Sequence, residues 1–570
     1  MIVSGPAAGR RRKATTLGKH AKILILIVLA SALGLVTLGR YDLRPWDEPF
    51  YALRARAVAE DNAWLDQNDY CPNRMANACY PPLFVWLAGA TMKVRGADEF
   101  AARLWAALLG LAAVPIAYLL GARLYDRTAG LFAAGALAAL PNFVRVTRMA
   151  QFDAPLAFFV LLTFWLWVEY YRTRKWSTAA LCGVAFGLAL LTKIAVPFVF
   201  VAAAAAAIIS PGSRPRRLRD VGALALAAGI GLTLAAPWHI YMYAQHGDYF
   251  LEHYLGYVVL YRGDGIAPHV QPGASPLRFL FYFNAAVVFL KGVAPFTFVG
   301  LVALLASKDT WRDRPDRVAV FAWVVLSFAV LMAVRFKREI YLAPVLAPMC
   351  ILAGDWLAKL GRRQMGKAAA ATMAGAALFA GAWADSSRVR GPFVEWITPE
   401  FASGDGGWVI TLAAAAAAAA LAIGFYFWYR RAPKAAAATL LAAIYLQLAV
   451  GVAGQWTYGR RDWQPLKGRL ERARYAGVVM VTADETPTHL FYFHRLMPGF
   501  GGAERLMLNP TWTRVDPAYV EEHYRKGYLV LLDKEERPEL AARLAAGLER
   551  VGGSRVESAR YILFIKDDGG

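Results

Sequence analysis

The chain alternates long apolar runs with short basic stretches, and that alternation predicts helices that cross a membrane. The run 221–243 is typical: it continues far enough without a charged residue to cross a hydrocarbon core of roughly 30 Å. About thirteen such runs are predicted, at 23–39, 103–121, 129–144, 154–171, 177–192, 194–210, 221–243, 279–306, 318–334, 339–358, 368–384, 408–428 and 436–456. A closed barrel would need apolar and polar residues alternating over short segments, which continuous runs exclude.

Composition agrees. At 58% hydrophobic positions the chain is too apolar for a soluble domain, whose surface must be covered by polar groups. The net charge of +22 does not point to nucleic acid, because Lys and Arg sit in short clusters between apolar runs and not on one soluble face. Their positions report orientation. Alternate loops carry Arg123 and Arg127, Arg172 to Lys175, Arg214 to Arg219, Lys308 to Arg317, Arg362 to Lys367, and Arg430 to Lys434. The positive-inside rule places those loops in the cytoplasm of a bacterial inner-membrane protein.

The opening stretch, with Arg10, Arg11, Arg12, Lys13, Lys19 and Lys22, precedes an apolar run as in a signal peptide. Gly39-Arg40-Tyr41 is a poor cleavage site and more apolar runs follow, so the segment reads as a retained anchor. Residues 1–22 are thus expected to form a cytoplasmic N-terminus, and 23–456 a membrane domain with outer loops 40–102 and 244–278. Residues 457–570 are expected outside the membrane. There, 477–483, 490–493, 528–532 and 561–565 read as strands and 538–551 as a helix, giving a small α/β domain. It contains no P-loop or dinucleotide fingerprint.

In the first outer loop, 47–64 reads as an amphipathic helix along the interface, with Arg54, Arg56, Glu60 and Asp61 on its polar side. Cys71 and Cys79, outside the cytoplasm, are spaced for a small disulfide loop. Cys182 and Cys350 fall within apolar runs and read as packing residues.

Several outer cations break the orientation bias: Arg145, Arg148, Arg262, Arg335, Lys337 and Arg338. Each alone reads equally well as a side chain snorkelling to the headgroups, but several together point to an anionic ligand such as a lipid phosphate. Lys193 carries the same two readings. The acids Asp47 and Glu48 follow the first run, and Asp153 opens the fourth at the same membrane depth. Either Asp47 or Asp153 could be a helix cap. Together, beside outward cations, they suit a transfer reaction in which a carboxylate accepts a proton and a phosphate leaving group is neutralised. His239, His246, His253 and His269 lack metal-ligand spacing and read as solvated or hydrogen-bonded residues. A divalent cation between acids and phosphate is compatible with the pattern, but no motif fixes one. Trp46, Trp64 and Trp86 suit an interfacial belt or a sugar platform.

The segments Asp47-Glu48-Pro49-Phe50-Tyr51-Ala52, Tyr80-Pro81-Pro82-Leu83-Phe84-Val85-Trp86, Phe100-Ala101-Ala102-Arg103-Leu104, Asp153-Ala154-Pro155-Leu156, Leu191-Thr192-Lys193, Pro237-Trp238 and Lys337-Arg338-Glu339-Ile340-Tyr341-Leu342-Ala343-Pro344 occur in an order with a meaning. The chain resembles the polyprenyl-phosphate-sugar-dependent glycosyltransferases of the C-type fold (GT-C), in the aminoarabinose-transferase-like and protein-mannosyltransferase-like branch. The resemblance implies an all-α polytopic membrane bundle carrying a small extramembrane α/β domain. It implies an inverting transfer from a polyprenyl-phosphate sugar donor to a lipid, glycan or protein acceptor. Asp47 would be the catalytic carboxylate and Asp153 the second acid, with Glu48 beside them. Arg262, Lys337, Arg338, Tyr341, Arg148 and Tyr80 would surround the donor phosphate. One departure matters: lipid A aminoarabinose transferases usually carry Glu-Lys before the Pro-Pro pair, where this chain has Cys79-Tyr80. The aminoarabinose substrate therefore does not follow from the motifs.

A transporter or flippase of lipid-linked sugars also needs many spans, but it would carry its charges near the midplane on interrupted helices. A glycolipid-binding scaffold would keep the cations and tolerate loss of both acids.

Overall fold

The structure is a computed structural model and describes residues 8–44, 47–70, 80–252, 254, 280–333, 337–385, 407–457, 461–470, 473, 475–482, 489, 492–494, 503–508, 515–535 and 537–565. Each apolar run predicted from the sequence contains a helix among the described residues. Eight helices are long and apolar enough to cross a membrane among the described residues, and the protein is a multi-pass membrane protein. Arg127–Ala139 and Pro141–Thr147 make a ninth crossing if taken as one span bent by 65°. Trp176–Leu190 and Phe198–Ile209 are shorter than a full crossing needs, so the expected thirteen runs are not thirteen demonstrated spans.

The bend at Leu140 has a local cause. Pro141 lacks an N–H and its ring disfavours helical backbone in the residue before it, and Leu140 takes φ −67°, ψ 116°. Helix starts are equally local: Asp98 accepts from Ala101 N at 2.6 Å, and Asp126 from Thr128 N and Ala129 N at 2.8 and 3.1 Å.

Small residues let the helices approach. A Cβ on Gly354 would lie 2.4 Å from the Ala129 carbonyl, so Ala343–Gly361 meets Arg127–Ala139 almost backbone to backbone. These contacts leave a continuous core in which large side chains such as Trp167 and Trp323 are fully buried.

Outside the bundle, a five-stranded sheet has the order β2-β1-β3-β5-β4, with β1 Gly477–Val481, β2 Glu504–Leu508, β3 Leu529–Asp533, β4 Ser554–Glu557 and β5 Tyr561–Ile565. β1 runs parallel to β2 and β3, while β5 is antiparallel to both β3 and β4. Helices Pro517–Arg525 and Pro538–Arg550 supply Val520, Tyr524, Leu544 and Leu548 to one face of the sheet. On the other face, Val478, Met480, Leu529 and Leu531 join one core with Leu53, Phe84, Ala102, Trp463 and Phe493. Sheet and first loop segment are therefore packed as one body. Of the strand expected at 490–493, the described residues are not extended: Tyr492 is helical, and Tyr492 and Phe493 bury their rings against Trp463 at 4.8 and 5.8 Å.

The interfacial helix also differs from expectation. Asp47–Asp61 is a helix, but Arg54, assigned to its solvent side, is wholly buried along with Glu48, Leu53 and Val58. The helix packs against Leu83–Arg95 and shares a core with residues of the sheet, and of its polar side Glu60 and Asp61 stay exposed.

Candidate active site

Consecutive residues of a helix point about 100° apart, and this separates the two acids that open Asp47–Asp61. Glu48 points inward. Its carboxylate accepts from Arg103 Nε at 2.9 Å, Arg103 Nη2 at 2.7 Å, Arg44 N at 2.6 Å and Ala150 N at 2.6 Å. Burial raises its pKa, but the Arg103 charge and these hydrogen bonds prevail and hold Glu48 below the ordinary carboxylate value. Arg103 also donates to the carbonyls of Leu38, Tyr41 and Asp42 at 3.0, 2.8 and 2.7 Å. Glu48 and Arg103 thus pin the chain between the first helix and Asp47. No side of Glu48 is open to a substrate, since its side chain is fully buried.

Asp47 points the other way and pairs with Arg338 at 3.0 Å, both side chains partly exposed. Asp153 is buried in the first turn of Asp153–Thr173, where the helix N-terminus favours a negative charge. It is not the cap, a position taken by Phe152. Tyr51 is within reach of both acids' charges. Burial, then the charges of Tyr80, Asp47 and Asp153, push its phenol far above the usual range and keep it protonated. Arg338 feels both acids. Burial lowers its pKa, yet Asp47 and, more weakly, Asp153 raise it overall.

Aromatic rings line this centre. Tyr51 meets Phe152 edge-on at 5.3 Å and Tyr80 at 6.2 Å, and Tyr80 stacks on Phe152 at 5.6 Å. Lys193, 8% exposed, lies 4.8 Å from the Phe152 ring centre and 4.7 Å from that of Tyr341, a cation held over two aromatic faces. The Tyr80-Pro81-Pro82 turn is fastened nearby, because Leu83 N donates to the Leu191 carbonyl at 3.0 Å. Arg54 donates to the Tyr80 carbonyl at 2.9 Å and to Gln67 Oε1 at 3.1 Å, which gives its burial a purpose.

The structure therefore gathers Asp47, Asp153, Arg338, Tyr341, Tyr80 and Lys193, with Tyr51 and Phe152 completing the wall. Lys337 is at the edge: its ammonium caps the Pro315–Ala333 helix through the carbonyls of Leu331 and Met332, at 3.3 and 3.0 Å, and stands 5.3 Å from the Tyr282 ring centre. Arg148 turns elsewhere, toward the Gly34 carbonyl and the Thr37 carbonyl and hydroxyl, the latter two at 3.2 and 2.9 Å. Arg262, Cys71 and Cys79 lie outside the described residues, as do His253 and His269. The motifs exposed Tyr51 and Phe152 only as letters beside the acids, and their roles come from the approach of distant segments.

Among the described residues no group of three or more His, Cys, Asp or Glu converges as a metal site. His239 bonds the Ala235 carbonyl and the Tyr254 hydroxyl at 2.8 and 2.7 Å, and His246 bonds Asp66 at 2.7 Å. Any divalent cation here would be held by Asp47 and Asp153, with ligand oxygens completing its shell.

Residues 80–241 match the dolichyl-phosphate-mannose-protein mannosyltransferase family. An uncharacterised protein of Aquifex aeolicus is 26% identical over 59% of this chain and 64% of its own length. An undecaprenyl phosphate-alpha-4-amino-4-deoxy-L-arabinose arabinosyl transferase of Pseudomonas savastanoi is 27% identical over 59% of this chain and 61% of its own. The chain thus spans less than two thirds of the length of these curated relatives. Among solved structures, ArnT from Cupriavidus metallidurans bound to undecaprenyl phosphate superposes with a TM-score of 0.62 at 17% identity, covering 96% of this chain and 98% of that one. Its apo state gives 0.58 at 19% identity, covering 95% and 98%. The chain has the fold of these structures, the C-type glycosyltransferase fold that the resemblance implied.

Proposed function

We propose that this protein is a membrane glycosyltransferase that moves a sugar from a polyprenyl-phosphate donor of the undecaprenyl type to a lipid, glycan or protein acceptor. The reading rests on one observation above all: the Asp47 carboxylate lies 3.0 Å from the Arg338 guanidinium, with Asp153 and Lys193 gathered around the same aromatic wall. A base beside cations is what displacement at a phosphate-linked anomeric carbon requires. The curated relatives' names and the undecaprenyl phosphate bound to the related ArnT support this donor class.

In the proposed reaction the acceptor hydroxyl attacks the anomeric carbon from the face opposite the phosphate. The new carbon–oxygen bond forms as the bond to the phosphate oxygen breaks, and the configuration inverts. Asp47 takes the hydroxyl proton, and the polyprenyl phosphate departs with its charge met by Arg338 and Lys193. Lys337 adds positive charge at the edge of the site. Where the acceptor is a phosphate, already ionised, Asp47 positions it and no base is needed. Glu48 serves by fixing the loop and does not touch substrate. Tyr341 and Tyr80 shape the donor pocket.

Each loop between alternate spans is basic, which supports a cytoplasmic N-terminus, a site at the periplasmic face of the inner membrane and a periplasmic sheet domain. The test is transfer of label from a polyprenyl-phosphate sugar in membranes carrying wild-type protein or Asp47→Asn. Loss of transfer with unchanged protein level is expected. Undiminished transfer by Asp47→Asn removes Asp47 from the mechanism, and translocation of donor without transfer by the wild type would make the protein a flippase.

A further inference from the structure

A second cavity, away from the aromatic wall, opens between the first helix and the bundle. Its volume is about 930 Å³, near the top of the roughly 300–1,000 Å³ usual for ligand sites. Ile27, Leu111, Leu131, Val144 and Val452 line it along its length, from His20 at one end to Arg148 at the other. Three polar side chains in its wall already have partners. Ser31, Thr147 and Tyr445 donate their hydroxyls to the carbonyls of Ile27, Val144 and Phe132 at 2.9, 2.8 and 2.8 Å. Water or a sugar would find few partners there.

The first helix stands off from the bundle, with only 6% of its span buried. Protein interiors do not keep voids of this size, and inside a bilayer the material that fills such a gap is hydrocarbon. The Arg148 end adds a charge preference. Its guanidinium donates to neutral acceptors on Gly34 and Thr37, and no carboxylate bonds it among the described residues. Glu48, an acid whose charge reaches it, is taken up by Arg103. Burial, then the like charges of Arg103 and Arg44, push Arg148 down to about 10, a setting that an anion would relieve.

We infer that this cavity holds the acyl chains of an anionic phospholipid whose headgroup phosphate pairs with Arg148. The lipid would be a wedge between the first helix and the bundle. Through Thr37 it would steady the chain segment that Arg103 holds at Leu38, Tyr41 and Asp42 and that leads to Asp47. The inference is independent of the proposed transfer chemistry, since it concerns retained lipid and not turnover.

Full-length protein in nanodiscs of equal dioleoyl-phosphatidylglycerol and dioleoyl-phosphatidylethanolamine can be released into native mass spectrometry and its retained lipids counted. Wild type should retain phosphatidylglycerol preferentially. Arg148→Gln should lose about fivefold of that preference, the worth of one basic residue at a membrane surface. Ala138→Trp, which fills the cavity from its wall, should lose the retained lipid while Arg148 remains. Equal retention of both lipids by wild type overturns the headgroup assignment without recourse to any variant. Retention that survives both substitutions overturns the site. Polyprenyl phosphate added to the discs and displacing phosphatidylglycerol from wild type, but not from Ala138→Trp, would make the occupant an isoprenoid and refute the phospholipid.

Discussion

Arg103 grips Glu48 with two hydrogen bonds, of 2.9 and 2.7 Å, across a sequence separation of 55 residues and out of contact with solvent. Removing one partner of a buried pair leaves the other charge uncompensated. Glu48→Gln should therefore lower stability by roughly 3–5 kcal/mol. Thermal unfolding in detergent checks this, and a Tm equal to wild type would show that the pair does not hold the loop.

Arg338 and Asp47 are a different kind of pair, partly exposed and within reach of a ligand. Exposed ion pairs contribute about 0–1 kcal/mol, so Arg338→Ala should fold normally. Its transfer activity should fall about 10²–10³-fold in kcat/KM if the guanidinium stabilises the departing phosphate. A loss confined to Tm, with transfer preserved, would contradict that role.

Lys193 is held over the rings of Phe152 and Tyr341. Lys193→Met keeps much of the side chain's apolar bulk and removes its charge. Donor affinity is expected to fall, seen as a raised KM for the lipid-linked sugar, while Lys193→Arg should restore part of it. Equal KM values in wild type and Lys193→Met would place the phosphate elsewhere.

Asp42 makes the junction between loop and sheet domain sensitive to pH. Its carboxylate accepts from Trp463 N at 2.9 Å, and burial, with Glu99 and Asp462 nearby, raises its pKa from 3.8 to about 6. The folded state then binds this proton more tightly than the unfolded chain. Asp42's contribution is fully favourable below about pH 4 and is lost as pH rises toward 6. Glu48 has the opposite sign: its pKa is lowered, so its contribution is present above the unfolded value and lost on acidification below it. Asp42→Asn keeps an acceptor for Trp463 and should stabilise the protein near pH 7.5 by on the order of 2 kcal/mol, with no gain at pH 4. A pH-independent difference between the two proteins would refute this assignment.

Much of this architecture was legible in the chain itself. Apolar runs must become helices where no water can satisfy the backbone, so length and composition located the long helices of the bundle, while Leu83–Arg95, set inside an expected outer loop, was not foreseen. β1, β3 and β5 were visible because they are buried on both faces and read as continuous apolar runs. β2 and β4 were not: Glu504–Leu508 and Ser554–Glu557 are edge strands broken up by charge, which resembles loop. The strand reading failed at Tyr492 and Phe493 because a short aromatic run has no period of its own, and these two rings pack against Trp463 instead.

By itself, the sequence determined that the chain is a polytopic bundle and that Asp47 and Asp153 open helices of it. Only the tertiary structure decided which acid is available. Asp47 and Glu48 are neighbours with the same chemistry, and nothing local distinguishes them. Arg103 buries one, Arg338 meets the other, and Arg148 is drawn away to the first helix. Those partners lie far apart in the chain, and a carboxylate's role is set by which charges surround it in space, a property that appears only once the helices have packed.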